Sequence, residues 1–168
     1  MISVFTRRPV RARVSVRTVR RRAAKLLGLV GRPDAELAII LTGDAEIRAL
    51  NQAYRQQDIA TDVLSFPQSA PGFVPPAGMA FPLGDVVISL ETAQRQAEID
   101  GCLPRVHEAL GRVSAHPWTI LDETTFLLVH GVLHLLGHDH DAPEETGIME
   151  RREHLLLTAL LTRGGRTA

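Results

Sequence analysis

Four of the seven histidines lie within eleven residues, in the segment 130-HGVLHLLGHDH-140. His130 and His134 are four residues apart, so a helix places both side chains on one face. Gly137 can adopt a positive φ angle and end that helix, after which the chain can return His140 toward the pair. Three imidazoles with no fourth protein ligand leave one position of a tetrahedral ion open to water, as in catalytic zinc sites. The spacing therefore predicts one Zn²⁺ per chain.

The residues around this cluster favour metal binding over a structural role for the histidines. Residues 126–136 are apolar at most positions, which predicts a largely buried helix. Each buried imidazole without a partner costs a few kcal/mol, whereas one shared cation satisfies three rings. Asp139 or Asp141 is a candidate to orient a ligand imidazole through its distal N–H. His138 is a candidate to support a ligand or to contact substrate, and an ordinary polar loop residue is an equally good interpretation.

One absence from the cluster bears on its chemistry. The zinc peptidase pattern H-E-x-x-H places a glutamate, the general base, directly after the first histidine. That position is Gly131 in this chain, and glycine has no side chain to remove a proton. The sequence therefore disfavours a metallopeptidase.

Hydrophobic periodicity and capping residues predict the elements that must position the cluster. The predicted strands are 2–5, 36–42, 63–66 and 86–88. The predicted helices are 15–29, 45–56 capped by Asp44, 91–98, 123–136 capped by Asp122, and a last helix that begins with a capping box at Asp141 and Glu144 and runs to 162. A proline-rich loop covers 67–83, and 101–121 is ambiguous.

Strands interleaved with helices indicate an α/β (α+β) fold. With 168 residues, we expect a single compact domain over 1–168, with 1–14 and 163–168 peripheral. One small mixed sheet of about four strands is covered by about five or six helices, with the zinc site at the end of a central helix. Cys102 is the only cysteine, which excludes an intrachain disulfide and favours the reducing cytoplasm. The longest apolar runs are too short to span a membrane.

Charge is unevenly distributed along the chain. The nineteen Lys and Arg balance nineteen Asp and Glu, yet ten of the basic residues precede the first acid, Asp34. Arg17, Arg21 and Lys25 form one stripe of the first predicted helix and are candidates for sequence-independent RNA contacts. The alternative is a solvated helix face that pairs with acids of this chain. Aromatic residues make up only 4%, which leaves little for base stacking.

Three blocks in order resemble the YbeY endoribonucleases, bacterial rRNA maturation factors. The first is the histidine segment. The second is 51-NQAYRQQDIATDVLSFP-67, similar to N-x-x-[YF]-R…T-D-V-L-S-F-P, and the third is 83-LGDVVIS-89, similar to L-G-D-[IL]-x-I. Together these blocks extend the resemblance over residues 37–160.

The resemblance implies a zinc-dependent, single-strand-specific endoribonuclease. Its roles would be rRNA processing at the 3′ end of small-subunit rRNA, ribosome biogenesis and ribosome quality control. The implied ligands are His130, His134 and His140, with His134 taking part in catalysis through the metal's water. Arg55 would face the metal cleft and share charge on the phosphoryl oxygens. Asp85 either supports the metal or Arg55, or merely caps a turn.

The resemblance implies rRNA and other single-stranded RNA, the small ribosomal subunit and assembly factors as partners, with no DNA or membrane expected. Residues alone do not decide between water and a ribose 2′-OH as the nucleophile. A non-catalytic, zinc-containing ribosome-assembly factor is the main alternative function.

Overall fold

The structure, a computed structural model, describes residues 1–7, 14–70, 72–99, 118–138 and 143–161. One four-stranded sheet in the order β1-β2-β4-β3 forms its centre. β1, β2 and β4 are parallel, and β3 runs antiparallel to β4 at the sheet edge. The strands are β1 (Ile2–Thr6), β2 (Glu36–Thr42), β3 (Val63–Pro67) and β4 (Pro82–Ser89).

Five helices are described along these ranges: α1 (Val16–Leu29), α2 (Asp44–Arg55), α3 (Leu90–Glu98), α4 (Ile120–Leu135) and α5 (Pro143–Leu161). Successive side chains of β4 point to opposite faces of the sheet, and the helices pack on both of these faces. Val86 and Ile88 join the main core with residues of α1, α3, α4 and α5. Val87 packs with Ile47 of α2 on the opposite face. The small mixed sheet and its helices confirm the predicted α/β fold.

Two predicted helix starts are wrong, and both errors have a capping explanation. Asp122 does not cap α4, the helix that carries His130 and His134. Thr119 does, and the Thr119 hydroxyl and Asp122 carboxylate form a reciprocal capping box, so α4 begins at Ile120. Asp44 is likewise the first residue of α2, with Gly43 as its N-cap. Residues 100–117 and Asp141 lie outside the described residues, so the predictions made there remain predictions.

Asp44 and Glu91 instead join the starts of α2 and α3. The backbone N–H of Asp44 donates to Glu91 Oε2 at 2.8 Å. The Asp44 carboxylate accepts from three side chains of the next helix start, those of Ser89, Thr92 and Arg95. Burial raises the pKa of Asp44, but these hydrogen bonds outweigh it and hold the pKa below its ordinary value.

α4 is the central helix and is buried around most of its circumference. Gly131 permits its close approach to the sheet: a Cβ built there would lie 2.8 Å from Val86 Cγ1 and 3.1 Å from Ser65 Oγ. Ser65 Oγ donates to the Gly131 carbonyl at 3.0 Å. This contact fixes both the distance of α4 from β3 and β4 and its rotation about the helix axis. In the described ranges, no helix is both long and apolar enough to cross a membrane.

We expect Gly131→Ala to lower the free energy of unfolding by about 1–3 kcal/mol, because the added methyl overpacks the contact with Val86. Urea denaturation measures the change. Gly28→Ala in α1 is the matched control: nothing lies within 4 Å of the place that its added methyl would take. A helical Gly-to-Ala change in open space stabilises by roughly 0.5–1 kcal/mol. Effects of the opposite sign to these, or no difference between the variants, would contradict the packing argument.

Candidate metal centre

His130 and His134 meet on the exposed side of α4. Their Nε2 atoms are 3.0 Å apart, and the ring centroids are 4.6 Å apart with the planes at 70°. Both side chains are half-buried. The structure thus brings together the two histidines whose four-residue spacing predicted a shared face, with one nitrogen of each ring directed at the same place.

Glu153 on α5 holds the first of these rings. Its Oε1 lies 2.7 Å from His130 Nδ1, and the Glu153 side chain is 8% exposed. A carboxylate accepts only, so Nδ1 carries the proton and donates it. The Nε2 atom of His130 is the other ring nitrogen, and it is the one that faces His134. This is the carboxylate–histidine arrangement that orients metal ligands.

Sequence reasoning missed Glu153, because the contact spans 23 residues and no local motif joins its two ends. One signal was present. Met149 and Leu157 are fully buried on α5, and Glu153 lies midway between them at helical spacing. An acid within an apolar helical stripe needs a buried partner, and the histidine cluster offers one.

The pair fits two ligand positions of a tetrahedral zinc ion. Two nitrogens about 2.0–2.1 Å from such an ion are roughly 3.3 Å apart, close to the 3.0 Å between the Nε2 atoms. His140 and Asp139 lie outside the described residues, so their roles remain predictions. Within the residues described, no three His, Cys, Asp or Glu side chains form a metal-binding group.

His138 and Asp85 are held by other contacts. His138 Nε2 lies 2.7 Å from Arg152 Nη1 on α5. Asp85 accepts a hydrogen bond from Gln68 Nε2 at 3.1 Å, and its position on β4 gives it the same face as Val87, opposite α4. The described contacts do not join Asp85 to the histidine pair.

Arg55 is exposed at the last position of α2. The preceding Tyr54 packs edge-on against Phe66 of β3 at 5.0 Å. α4 lies beneath the same edge strand, through the contact of Ser65 with Gly131. Arg55 and the histidines therefore occupy opposite faces at one edge of the sheet, and the described contacts do not bring them together. Its predicted place at the cleft remains a prediction.

The basic residues of α1 divide into an inner and an outer set. Arg22 points inward, donating to the Leu121 carbonyl at 3.0 Å and lying 3.4 Å from the Asp122 carboxylate. Burial lowers the pKa of Arg22, and Asp122 opposes that shift. Lys25 Nζ donates to the Ala159 carbonyl of α5. Arg17 and Arg21 are exposed.

Comparison with known proteins agrees with this architecture. The family model described as endoribonuclease YbeY matches residues 10–161. The chain is 47% identical over 145 residues to "Endoribonuclease YbeY" of Anaeromyxobacter dehalogenans, with 86% of this chain and 64% of that protein covered. Thus the chain spans somewhat less than two thirds of that relative's length.

A shorter relative is matched along nearly its whole length. "Endoribonuclease YbeY" of Thermus thermophilus is 40% identical over 156 residues, covering 91% of this chain and 96% of that protein. The solution structure of TM1509 from Thermotoga maritima has the same fold, with a TM-score of 0.58, 21% identity, and coverage of 95% of this chain and 89% of that one. By its sequence, the chain belongs to the endoribonuclease YbeY family.

Proposed function

We propose that this chain is a zinc-dependent endoribonuclease that cuts single-stranded RNA during maturation of the 3′ end of small-subunit rRNA. The observation that carries the proposal is the His130–His134 pair, with Nε2 atoms 3.0 Å apart and one ring fixed by the buried Glu153. Family membership supports RNA as the substrate. The small ribosomal subunit and assembly factors are the proposed partners, and the cytoplasm is the proposed location.

Each residue of the proposed site has a defined task. His130, His134 and His140 would hold the ion, which when bound supplies Lewis acidity and lowers the pKa of water toward neutrality. Glu153 keeps the His130 proton on Nδ1 and its lone pair on Nε2. Arg55 would bind phosphoryl oxygens with charge-assisted hydrogen bonds. Gly131 has no room for a glutamate, which disfavours the H-E-x-x-H peptidase mechanism.

The central test replaces one proposed ligand. We expect His134→Ala to lose bound zinc and to lose cleavage of single-stranded RNA, because two remaining imidazoles hold the ion too weakly. Metal analysis and gel assays with RNA measure both. His154→Leu is the control: its Nδ1 is buried with no hydrogen-bond partner among the described residues, so its loss should leave zinc and cleavage unchanged.

Three outcomes of that test would contradict the proposal. Zinc bound to the wild type with RNA and rRNA precursors left intact would indicate the non-catalytic assembly factor. Cleavage of casein in place of RNA would indicate a peptidase. Full retention of zinc by His134→Ala would remove that histidine from the metal site.

Glu153→Gln tests the positioning of His130. The variant keeps the shape of the side chain but removes its charge, and we expect zinc affinity to fall about 10–100-fold. Competition with a chromophoric chelator measures the affinity, and thermal unfolding of the zinc-free protein gives a second readout. Glu98→Gln, on α3 and hydrogen-bonded only to Gln94 among the described contacts, is the control. Lower stability with unchanged zinc affinity would show a structural role alone.

Arg55→Ala tests the proposed phosphate contact. Loss of one donor to developing charge typically costs about 10²–10³ in kcat, and we expect a loss of that size with zinc content unchanged. Arg48→Ala is a matched control on the same helix, since Arg48 pairs with Asp58 at 2.7 Å. Equal rates for Arg55→Ala and the wild type would exclude the role.

A further inference from the structure

The outer side of α1 carries three exposed arginines that are close together along the helix. Arg17, Arg20 and Arg21, here called the arginine face, form no side-chain ion pair or side-chain hydrogen bond in the described part of the chain. Three of the other exposed arginines are paired with a carboxylate at 2.6–2.8 Å: Arg7 with Glu46, Arg48 with Asp58 and Arg95 with Asp44. Arg32, Arg55, Arg151 and Arg152 are exposed and form no such pair among the described residues. Pairing with the chain's own acids therefore does not account for the arginine face.

The arginine face also works against the helix that carries it. α1 has no acidic residue in its first turn, and Arg17 lies there, near the positive end of the helix dipole. Arg17 and Arg21 repel one another at i, i+4, and Arg20 adds a third like charge. The buried side of α1 and its Ser15 cap hold the helix in place. A charge cluster that destabilises its own helix without internal compensation indicates an external anion.

Positive charge continues from α1 to the histidine end of α4. About 18 Å along the helix axis separates Arg17 from Leu29, where a groove begins between α1, α4 and α5. Arg32, His138 and Arg152 contribute its polar lining, with Leu133 of α4 and the adjoining Leu136 on its apolar side. Leu133 immediately precedes His134. A polyanion lying along α1 would thus reach the end of α4 that carries His134, although neither His130 nor His134 lines the groove itself.

We propose that the arginine face binds the sugar–phosphate backbone of single-stranded RNA at a distance from the bond that is cut. This inference rests on the proposed function for the identity of the polyanion. α1 carries no aromatic residue, so the contact depends on charge and not on base stacking. Lys25, which reaches the Ala159 carbonyl, belongs less to this face than Arg20 does.

The test compares two variants with equal changes in net charge. The first is the arginine-face variant R17Q/R20Q/R21Q, and the control is R7Q/R48Q/R95Q, which removes three arginines that are paired with carboxylates. Fluorescence anisotropy follows the zinc-loaded proteins binding to oligouridine of about 16 nucleotides, the upper end of common site sizes, over a series of salt concentrations. Gels confirm that the RNA remains intact during the measurement.

We expect the arginine-face variant to bind more weakly and its salt slope, −∂log K/∂log[salt], to be lower by about 2, since each single-strand phosphate contact contributes roughly 0.7. The control should keep the wild-type slope. Thermal unfolding should show a variant at least as stable as the wild type, because like-charge repulsion is removed. Should the triple variant not fold, R20Q alone is expected to lower the slope by about 0.7.

Several results would overturn this inference. Equal loss in both variants would show a general effect of net charge, and an unchanged slope would exclude the arginine face. Loss of binding to phosphatidylserine–phosphatidylcholine vesicles with RNA binding intact would indicate an anionic lipid surface instead. The inference fails separately from the proposed function: cleavage with an unchanged slope overturns only the RNA-binding face, and an altered slope without any cleavage overturns only the nuclease.

Discussion

The site depends on how closely α4 can approach the sheet. A helix next to β-strands is normally kept at a distance by its side chains, but at Gly131 the Val86 methyl groups and the Ser65 hydroxyl occupy the space of a Cβ. The hydrogen bond from Ser65 to the Gly131 carbonyl then fixes the rotation of the helix. His130 is the residue before Gly131. With Gly131 turned to the sheet, the His130 side chain points to a different side of α4, where it meets Glu153 of α5.

This constraint links packing to chemistry. The position that holds the general base in the H-E-x-x-H peptidases is here part of the helix–sheet interface, so an acid at that place is excluded by space as well as by residue type. The carboxylate of this site comes instead from Glu153, on a different helix, and it faces the His130 Nδ1 atom. From there it fixes the tautomer of the ring, a task that differs from removing a proton from water.

The sequence predicted those parts of the structure that local patterns encode. The four-residue histidine spacing, the apolar runs of β2 and β4 and the turn at Gly137, whose φ is +88°, all follow from neighbouring residues. The helix starts were misplaced by up to three residues, because Asp122 serves equally well as an N-cap or as the third residue of a capping box, and only the Thr119 hydroxyl decides. Glu153 was missed because tertiary packing alone brings it to His130.

At Arg55, a local sequence motif and a tertiary contact concern the same residues. Its motif continues directly into β3, and the structure explains why those residues occur together: Tyr54 packs on Phe66, while Ser65 of the same strand anchors α4 on the other face. One edge strand thus fixes both the end of α2 and α4. The residues of the linear motif therefore form contacts on both faces of β3. A change in β3 would for this reason move Arg55 and the histidine pair relative to one another. The edge strand has no neighbour beyond it within the described sheet, so the two faces of the sheet meet at β3, and it is around this strand that the predicted roles of Arg55 and the histidines would have to converge.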